Sequence, residues 1–313
     1  MSRVIITENL TKDYRTGFRL QKIRAIENLN LEVEAREIFG FLGPNGAGKT
    51  TTIKILVGLS EPTSGKVLVM GKPSTDVDSK KQIGFLPESP YFYEYLNAQE
   101  YLRLCAQVSG VERERIGPQI EKMLNLVRLE RFTKLPIKGY SRGMLQRLGI
   151  AQALIHNPEL VILDEPMGGL DPIGRREFRD IILNLKTQGK TIFFSSHILA
   201  DVEMICDRVG IILNGKLINI GRLEEMLGSE IENFEIVVKG LDRKMVKVVE
   251  RMSDSVIAGD DKVLIEVKNE EEVERIMAII REVGAKLLSL QPRRKTLEDH
   301  FISQIEKERL KQI

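Results

Sequence analysis

Short runs of consecutive apolar residues alternate along the first two thirds of the chain with stretches whose apolar positions recur at helical spacing. Residues 36–42 form the first run, and a glycine-rich stretch from Gly43 to Gly48 leads into Lys49–Leu59, whose apolar residues fit one helix face. From Phe85 to about Asn157 the pattern is mainly helical, with helices expected over Ala98–Val108, Gly117–Leu129 and from about Arg142 to Ile155. Pro158 ends the last of these, because its ring disfavours the helical region for Asn157. Further strands are expected at Leu160–Leu163, Thr191–Ser196 and Val209–Leu213. Runs of this kind suit strands covered on both faces, so the pattern predicts an α/β domain with a mostly parallel sheet and a helical insertion over about residues 85–157.

After Gly228 the texture changes. Phe234–Lys239, Asp242–Met252, Ser255–Ala258, Lys262–Val267, Glu270–Val283 and Lys286–Gln291 read as strand, helix, strand, strand, helix, strand, the order of a ferredoxin-like α+β module. The 313 residues also exceed the roughly 150 expected of one domain. Two domains are therefore expected, 1–228 and 229–313.

Composition narrows the class. Hydrophobic residues make up 42% and charged residues 29%, which excludes a disordered chain. Lys plus Arg number 47 against 45 Asp plus Glu, too balanced to expect nucleic acid as a partner. Cys105 and Cys206 stand far apart without metal-ligand spacing, as expected in a reducing compartment. The N-terminus lacks the pattern of a signal peptide and no run approaches the ~20 apolar residues of a membrane span, so the chain is not expected to enter a bilayer by itself.

The chemistry is concentrated in the first domain. Gly43-Pro44-Asn45-Gly46-Ala47-Gly48-Lys49-Thr50, followed by Thr51, satisfies G-x-x-x-x-G-K-[ST], in which backbone N–H groups close around phosphates at a helix N-terminus. Lys49 is expected on the β- and γ-phosphates and the Thr50 hydroxyl on Mg²⁺. The strand Leu160–Leu163 delivers Asp164 and Glu165 at its carboxyl end, where Asp164 would approach Mg²⁺ through water and Glu165 would act as general base.

Between these motifs lies Tyr140-Ser141-Arg142-Gly143-Met144-Leu145-Gln146-Arg147. Taken alone, Ser141 reads equally as an ordinary helix N-cap. The segment nevertheless resembles the signature motif of ATP-binding-cassette ATPases, with Arg142 in place of the first glycine, and it stands about 20 residues before Asp164, as in that family. Gly169-Leu170-Asp171 then resembles the D-loop, and Ser195-Ser196-His197 the switch segment whose histidine senses the γ-phosphate. Tyr14 matches the aromatic that stacks on adenine, although a strand aromatic packed on the core is the alternative. Glu88, in Leu86-Pro87-Glu88, stands where many relatives carry a glutamine near Mg²⁺ and the attacking water, a variant similar to exporter-type cassettes. Tyr91, Tyr93, Tyr95 and Tyr101 fall in a region that faces the membrane subunit in the family, with a satellite core as the alternative. His156 and His300 read as structural, and the ending from Leu290 to Phe301 is similar to accessory domains of drug-, lipid- and polysaccharide-exporter cassettes.

The resemblance implies a P-loop ATPase fold with an N-terminal antiparallel β subdomain. It further implies an ATP- and Mg²⁺-dependent hydrolase that powers an exporter by head-to-tail dimerisation, with Ser141, Arg142, Gly143 and Met144 facing the partner's ATP. The implied partners are a second cassette subunit and a separate transmembrane permease, which would hold the chain on the cytoplasmic face of the membrane. The rival is a soluble, non-transport cassette ATPase of DNA repair, translation or cofactor assembly; the single cassette, near-neutral charge and lack of a long coiled coil argue against it. A kinase-like P-loop enzyme is excluded by the signature segment.

Overall fold

The computed structural model describes residues 2–16, 21–227, 231–259, 261–294 and 296–310. Its contacts divide the chain into two units: one runs to Leu223 and takes in the chain from Gln304 onward, the other spans Glu224–Ser303. The boundary expected at Gly228 falls within 228–230, outside the described residues.

The first unit opens with two long strands, β1 (Arg3–Thr16) and β2 (Gln21–Glu34), paired antiparallel with Ile5 opposite Val33 and Tyr14 opposite Ile23. There follow β3 (Ile38–Leu42), α1 (Lys49–Leu56), β4 (Ser64–Val69), β5 (Lys72–Pro73), α2 (Val77–Lys80) and β6 (Ile83–Leu86). The helical insertion contributes α3 (Ala98–Val108), α4 (Arg113–Leu126) and α5 (Arg142–Leu154). The chain continues through β7 (Leu160–Leu163), α6 (Pro172–Thr187), β8 (Thr191–Ser196), α7 (Leu199–Ile205), β9 (Arg208–Leu213), β10 (Lys216–Arg222) and α8 (Leu223–Leu227).

Two sheets result. The antiparallel one has the order β2-β1-β4-β5, and the other runs β10-β9-β3-β8-β7-β6, parallel throughout except for β10 at its edge. Every residue of β3, β7 and β8 is buried, as continuous apolar runs require of strands covered on both faces. Phe39 stacks on Phe193 with ring centroids 5.6 Å apart, and Phe41 meets the same ring at 5.5 Å. Each such fully buried phenyl ring contributes on the order of 1.5–3 kcal/mol. This core holds the carboxyl ends of β3, β7 and β8, and therefore Gly43, Asp164 and His197, in fixed register.

In the insertion, α3 starts where Asn97 and Glu100 form a capping box, each side chain accepting the other's backbone N–H. α4 begins at Arg113, earlier than expected, and takes Pro118 into its interior. α5 gives way to Asn157 in the left-handed region at φ +57, followed by Pro158.

The second unit begins within α8 and contains β11 (Ile231–Lys239), α9 (Arg243–Glu250), β12 (Ser255–Ala258), β13 (Lys262–Val267), α10 (Glu270–Glu282) and β14 (Lys286–Arg294), and α11 (Leu297–Leu310) starts within it. Its sheet is antiparallel with the order β12-β13-β11-β14. Ile236, Val238, Val263, Ile265 and Val267 form a core with Val249 of α9 and Val273, Ile276 and Ile280 of α10. The expected β-α-β-β-α-β order is thus present. Among the described residues no helix is long and apolar enough to cross a membrane.

Candidate functional site

The loop from Gly43 to Gly48 joins β3 to α1 through a sharp turn that only small residues allow. A Cβ on Gly43 would lie 2.4 Å from the Ile212 carbonyl oxygen, and Gly48, at φ +110, would place one 2.6 Å from the carbonyl oxygen of Ala25. Lys49 opens the helix almost fully buried. Its Nζ donates to the carbonyl oxygens of Gly43 at 2.7 Å and Pro44 at 3.2 Å, and lies 3.0 Å from Glu165 Oε1. The last pair is close enough for ionic attraction but not aligned as a hydrogen bond, so Oε1 makes none. Ala47 is buried.

Glu165 follows β7 in the left-handed region at φ +46, a conformation costing a non-glycine residue roughly 1–2 kcal/mol. Its backbone N–H donates to Ser195 Oγ at 2.8 Å, and Ser195 in turn donates to Asp164 Oδ1 at 2.7 Å. Ser195 has no exposed surface. This one hydroxyl therefore fixes both acidic residues. The second oxygen of Glu165 accepts a 2.7 Å bond from His197 Nδ1. The Glu165 carboxylate thus stands between an ammonium and an imidazole N–H.

These groups line a cleft of about 390 Å³ with Asn45, Gly46, Gly48, Thr50, Thr51 and Glu88 also on its walls. That volume lies within the roughly 300–1,000 Å³ usual for small-molecule sites. On the cleft wall Thr50 and Glu88 carry side-chain oxygens of the kind a hard divalent cation takes, whereas Asp164 is buried beside Ser195 and does not line the cleft; among the described residues no group of three or more His, Cys, Asp or Glu side chains could hold a metal ion. A larger cavity, about 570 Å³, opens between α3 and α4 beside Arg103 and Glu121 but contains none of the candidate residues.

Other candidates lie outside the cleft. Tyr14 is 36% exposed, with Lys12 Nζ 5.1 Å from its ring centroid, and it pairs with Ile23, two positions before the cleft-lining Ala25. Ser141 caps α5 by accepting the Met144 N–H at 3.3 Å. Arg142 lies on Gly169, whose added Cβ would come within 2.4 Å of the guanidinium carbon, and Gly143 faces Leu170. Asp171 caps α6, accepting the Gly174 N–H at 2.7 Å. The segments 141–144 and 169–171 are thus packed together, and neither lines the cleft. Ser195 was expected only as part of the switch segment, and its bonds to Asp164 and to the Glu165 N–H are what the sequence did not show; the signal was a pair of serines, Ser195 and Ser196, closing an otherwise apolar strand.

The tyrosines divide. Tyr101 is buried, bonded to Gln152 at 2.7 Å and packed on Phe92, as a satellite core requires. Tyr91, Tyr93 and Tyr95 are exposed and in edge or tilted contact with one another. Tyr93 also borders a groove of about 330 Å³ walled by Leu104, Val108 and His156.

Residues 26–168 match the family model described as ABC transporter. An uncharacterized ABC transporter ATP-binding protein of Synechocystis is 42% identical over 308 residues, 97% of this chain and 85% of that protein. A bacitracin transport ATP-binding protein of Bacillus licheniformis is 45% identical over 221 residues, 70% of this chain and 69% of its own length. Among solved structures, an ATP-binding subunit of an ABC transporter superposes with TM-score 0.63 at 32% identity, covering 71% of this chain and 91% of that one. A dimeric ATP-binding cassette in a post-hydrolysis state bound to ADP and Pi gives TM-score 0.64 at 26% identity, covering 70% and 98%.

Proposed function

Because the chain belongs to the ATP-binding proteins of ABC transporters, we propose that the cleft between α1 and the ends of β7 and β8 is where its ATP is held and hydrolysed. The chain is an ATP-hydrolysing subunit that works with a transmembrane permease and dimerises. The observation that carries the site assignment is the Glu165 carboxylate, held between Lys49 and His197 on a strained backbone and facing the glycine loop.

The roles follow from this arrangement. Loop N–H groups from Asn45 to Thr51 and the Lys49 ammonium meet the phosphates, and Tyr14 stacks on the base. Thr50, Asp164 and Glu88 would hold Mg²⁺, which when bound supplies positive charge against the β- and γ-phosphates. Glu165 orients the attacking water and accepts its proton. His197 keeps the Glu165 carboxylate in place through its Nδ1–H and is the residue that contacts the γ-phosphate. Ser141, Arg142, Gly143 and Met144, with Asp171, meet the nucleotide of a second subunit, so each complete site needs two chains. Hydrolysis removes the bridging charge and lets the pair separate.

Transport is outward in this proposal, supported by the bacitracin transport relative and by Glu88 in its exporter-like Leu-Pro-Glu setting. The permease docks on the exposed Tyr91, Tyr93 and Tyr95 and the adjoining groove, since tyrosine buries area while keeping a polar handle. The chain would then sit at the inner membrane face, with residues 229–313 as an accessory module. Affinity purification from detergent-solubilised membranes tests this: a multi-span protein should copurify, and Tyr91→Ala with Tyr95→Ala should release it. Recovery of the chain only from the soluble fraction, free of any membrane protein, would favour a non-transport role.

A further inference from the structure

Arg175 stands one turn into α6, behind the cap at Asp171, and its side chain turns back over that turn. Its Nε–H donates to the Leu170 carbonyl oxygen at 3.1 Å. The same guanidinium reaches toward α7, where its Nη1 lies 3.9 Å from Asp201 Oδ2. Asp201 is buried in the first turn of α7, four residues after His197, and its Oδ1 is occupied by Arg179 Nη1 at 2.5 Å. Oδ2 makes no hydrogen bond. One guanidinium therefore faces two acceptors: a loop carbonyl it is bonded to, and a buried carboxylate oxygen left open within ionic reach.

We propose that Arg175 is a positioning residue that couples the loop Gly169–Asp171 to the switch at His197, by exchanging hydrogen bonding between Leu170 and Asp201. The inference rests on the roles proposed above for Asp171 and His197. A buried carboxylate oxygen without a hydrogen bond draws the guanidinium toward it, while the Leu170 bond holds the guanidinium back. Movement of the loop by a second subunit weakens the Leu170 bond and releases Arg175 to Asp201. The first turn of α7 shifts in response, and the His197 contact to Glu165 shifts with it. This is a two-arrangement element biased from both ends, the physical form that coupling between sites requires. Arg175 touches no candidate cleft residue, so its loss should leave nucleotide binding alone.

The full chain carrying Arg175→Ala, Asp201→Asn or both tests the proposal through steady-state ATP hydrolysis. Arg175→Ala is expected to lower kcat about tenfold with KM for ATP within about twofold, a coupling within the usual allosteric range. The double variant should be no slower than Asp201→Asn alone, because both changes break one linkage. In a Glu165→Gln background, Arg175→Ala should still dimerise on addition of ATP. A kcat within twofold of wild type for Arg175→Ala would overturn the proposal, as would multiplicative losses in the double variant. A fall in kcat matched by loss of folded protein in circular dichroism would assign Arg175 a purely structural role and equally overturn it. Failure of the underlying reading appears separately, as absence of ATP-dependent dimers in Glu165→Gln with Arg175 intact.

Discussion

Replacing Ser195 by alanine removes one oxygen that serves two masters. The hydroxyl donates to the Asp164 carboxylate and accepts the Glu165 N–H, and no water reaches it. A hydrogen bond to a charged group contributes about 1.5–3 kcal/mol, and a buried N–H left without a partner costs about 1–3 kcal/mol. The two losses share one atom and are not fully additive, so urea denaturation should show the first unit destabilised by about 2–4 kcal/mol. The consequence for chemistry is separate. Glu165 occupies the left-handed region at φ +46, and without the Ser195 bond its backbone is free to relax and carry the carboxylate away from Lys49 and His197. Hydrolysis at saturating ATP should fall at least tenfold, while ATP affinity measured by calorimetry changes little, since Lys49 and the glycine loop are untouched. A Ser195→Ala protein with wild-type stability and turnover would refute this role for the hydroxyl.

Three further outcomes are expected. Lys49→Ala removes the buried ammonium and leaves Glu165 Oε1 without a cation, so ATP binding by calorimetry should weaken by at least tenfold. Gly48→Ala forces a Cβ toward the Ala25 carbonyl at φ +110, and should cost about 1–2 kcal/mol of stability from the backbone alone, with lost ATP binding as the second readout. Burial pushes the His156 imidazole below its ordinary 6.5, with the Ile83 carbonyl opposing and Lys190 adding to the effect. The neutral ring is favoured in the fold and its Nδ1 has no acceptor, so the contribution to stability is present above pH 6.5 and is lost as pH falls through the lower folded value. Thermal unfolding from pH 8 to 5 should therefore be flatter for His156→Gln than for wild type.

Where the candidate residues lie was largely legible because they stand in contiguous motifs. A strand, a glycine loop and a helix in succession fix where Lys49 must point, and the apolar run Leu160–Leu163 delivers Asp164 and Glu165 to the same edge. The β-α-β-β-α-β module was equally legible, with Ser255–Ala258 and Lys262–Val267 matching in extent. What failed to show in the pattern has physical causes. β1 and β2 pair with several register shifts, and the exposed first four residues of β2 break any simple alternation. Gly117-Pro118 suggested a break, yet α4 starts at Arg113 and runs through both. α11 was not expected, its charged residues leaving only a weak apolar face. The role of Ser195 depends on side chains 30 and 31 residues apart meeting at adjacent strand ends, and the contact of Arg142 with Gly169 is likewise tertiary.

In the proposed function Glu165 activates water for hydrolysis in a site closed by a second copy of the chain. Sedimentation of purified Glu165→Gln with and without Mg²⁺ and ATP, alongside its rate of phosphate release, tests both halves together. The variant keeps size and one hydrogen-bond acceptor while losing the base, so phosphate release should fall by ~10²-fold or more. The protein should meanwhile accumulate as an ATP-bound dimer that wild type forms only transiently. Wild-type phosphate release from this variant, or a monomer at saturating ATP, would contradict these roles of Glu165 and of the second copy.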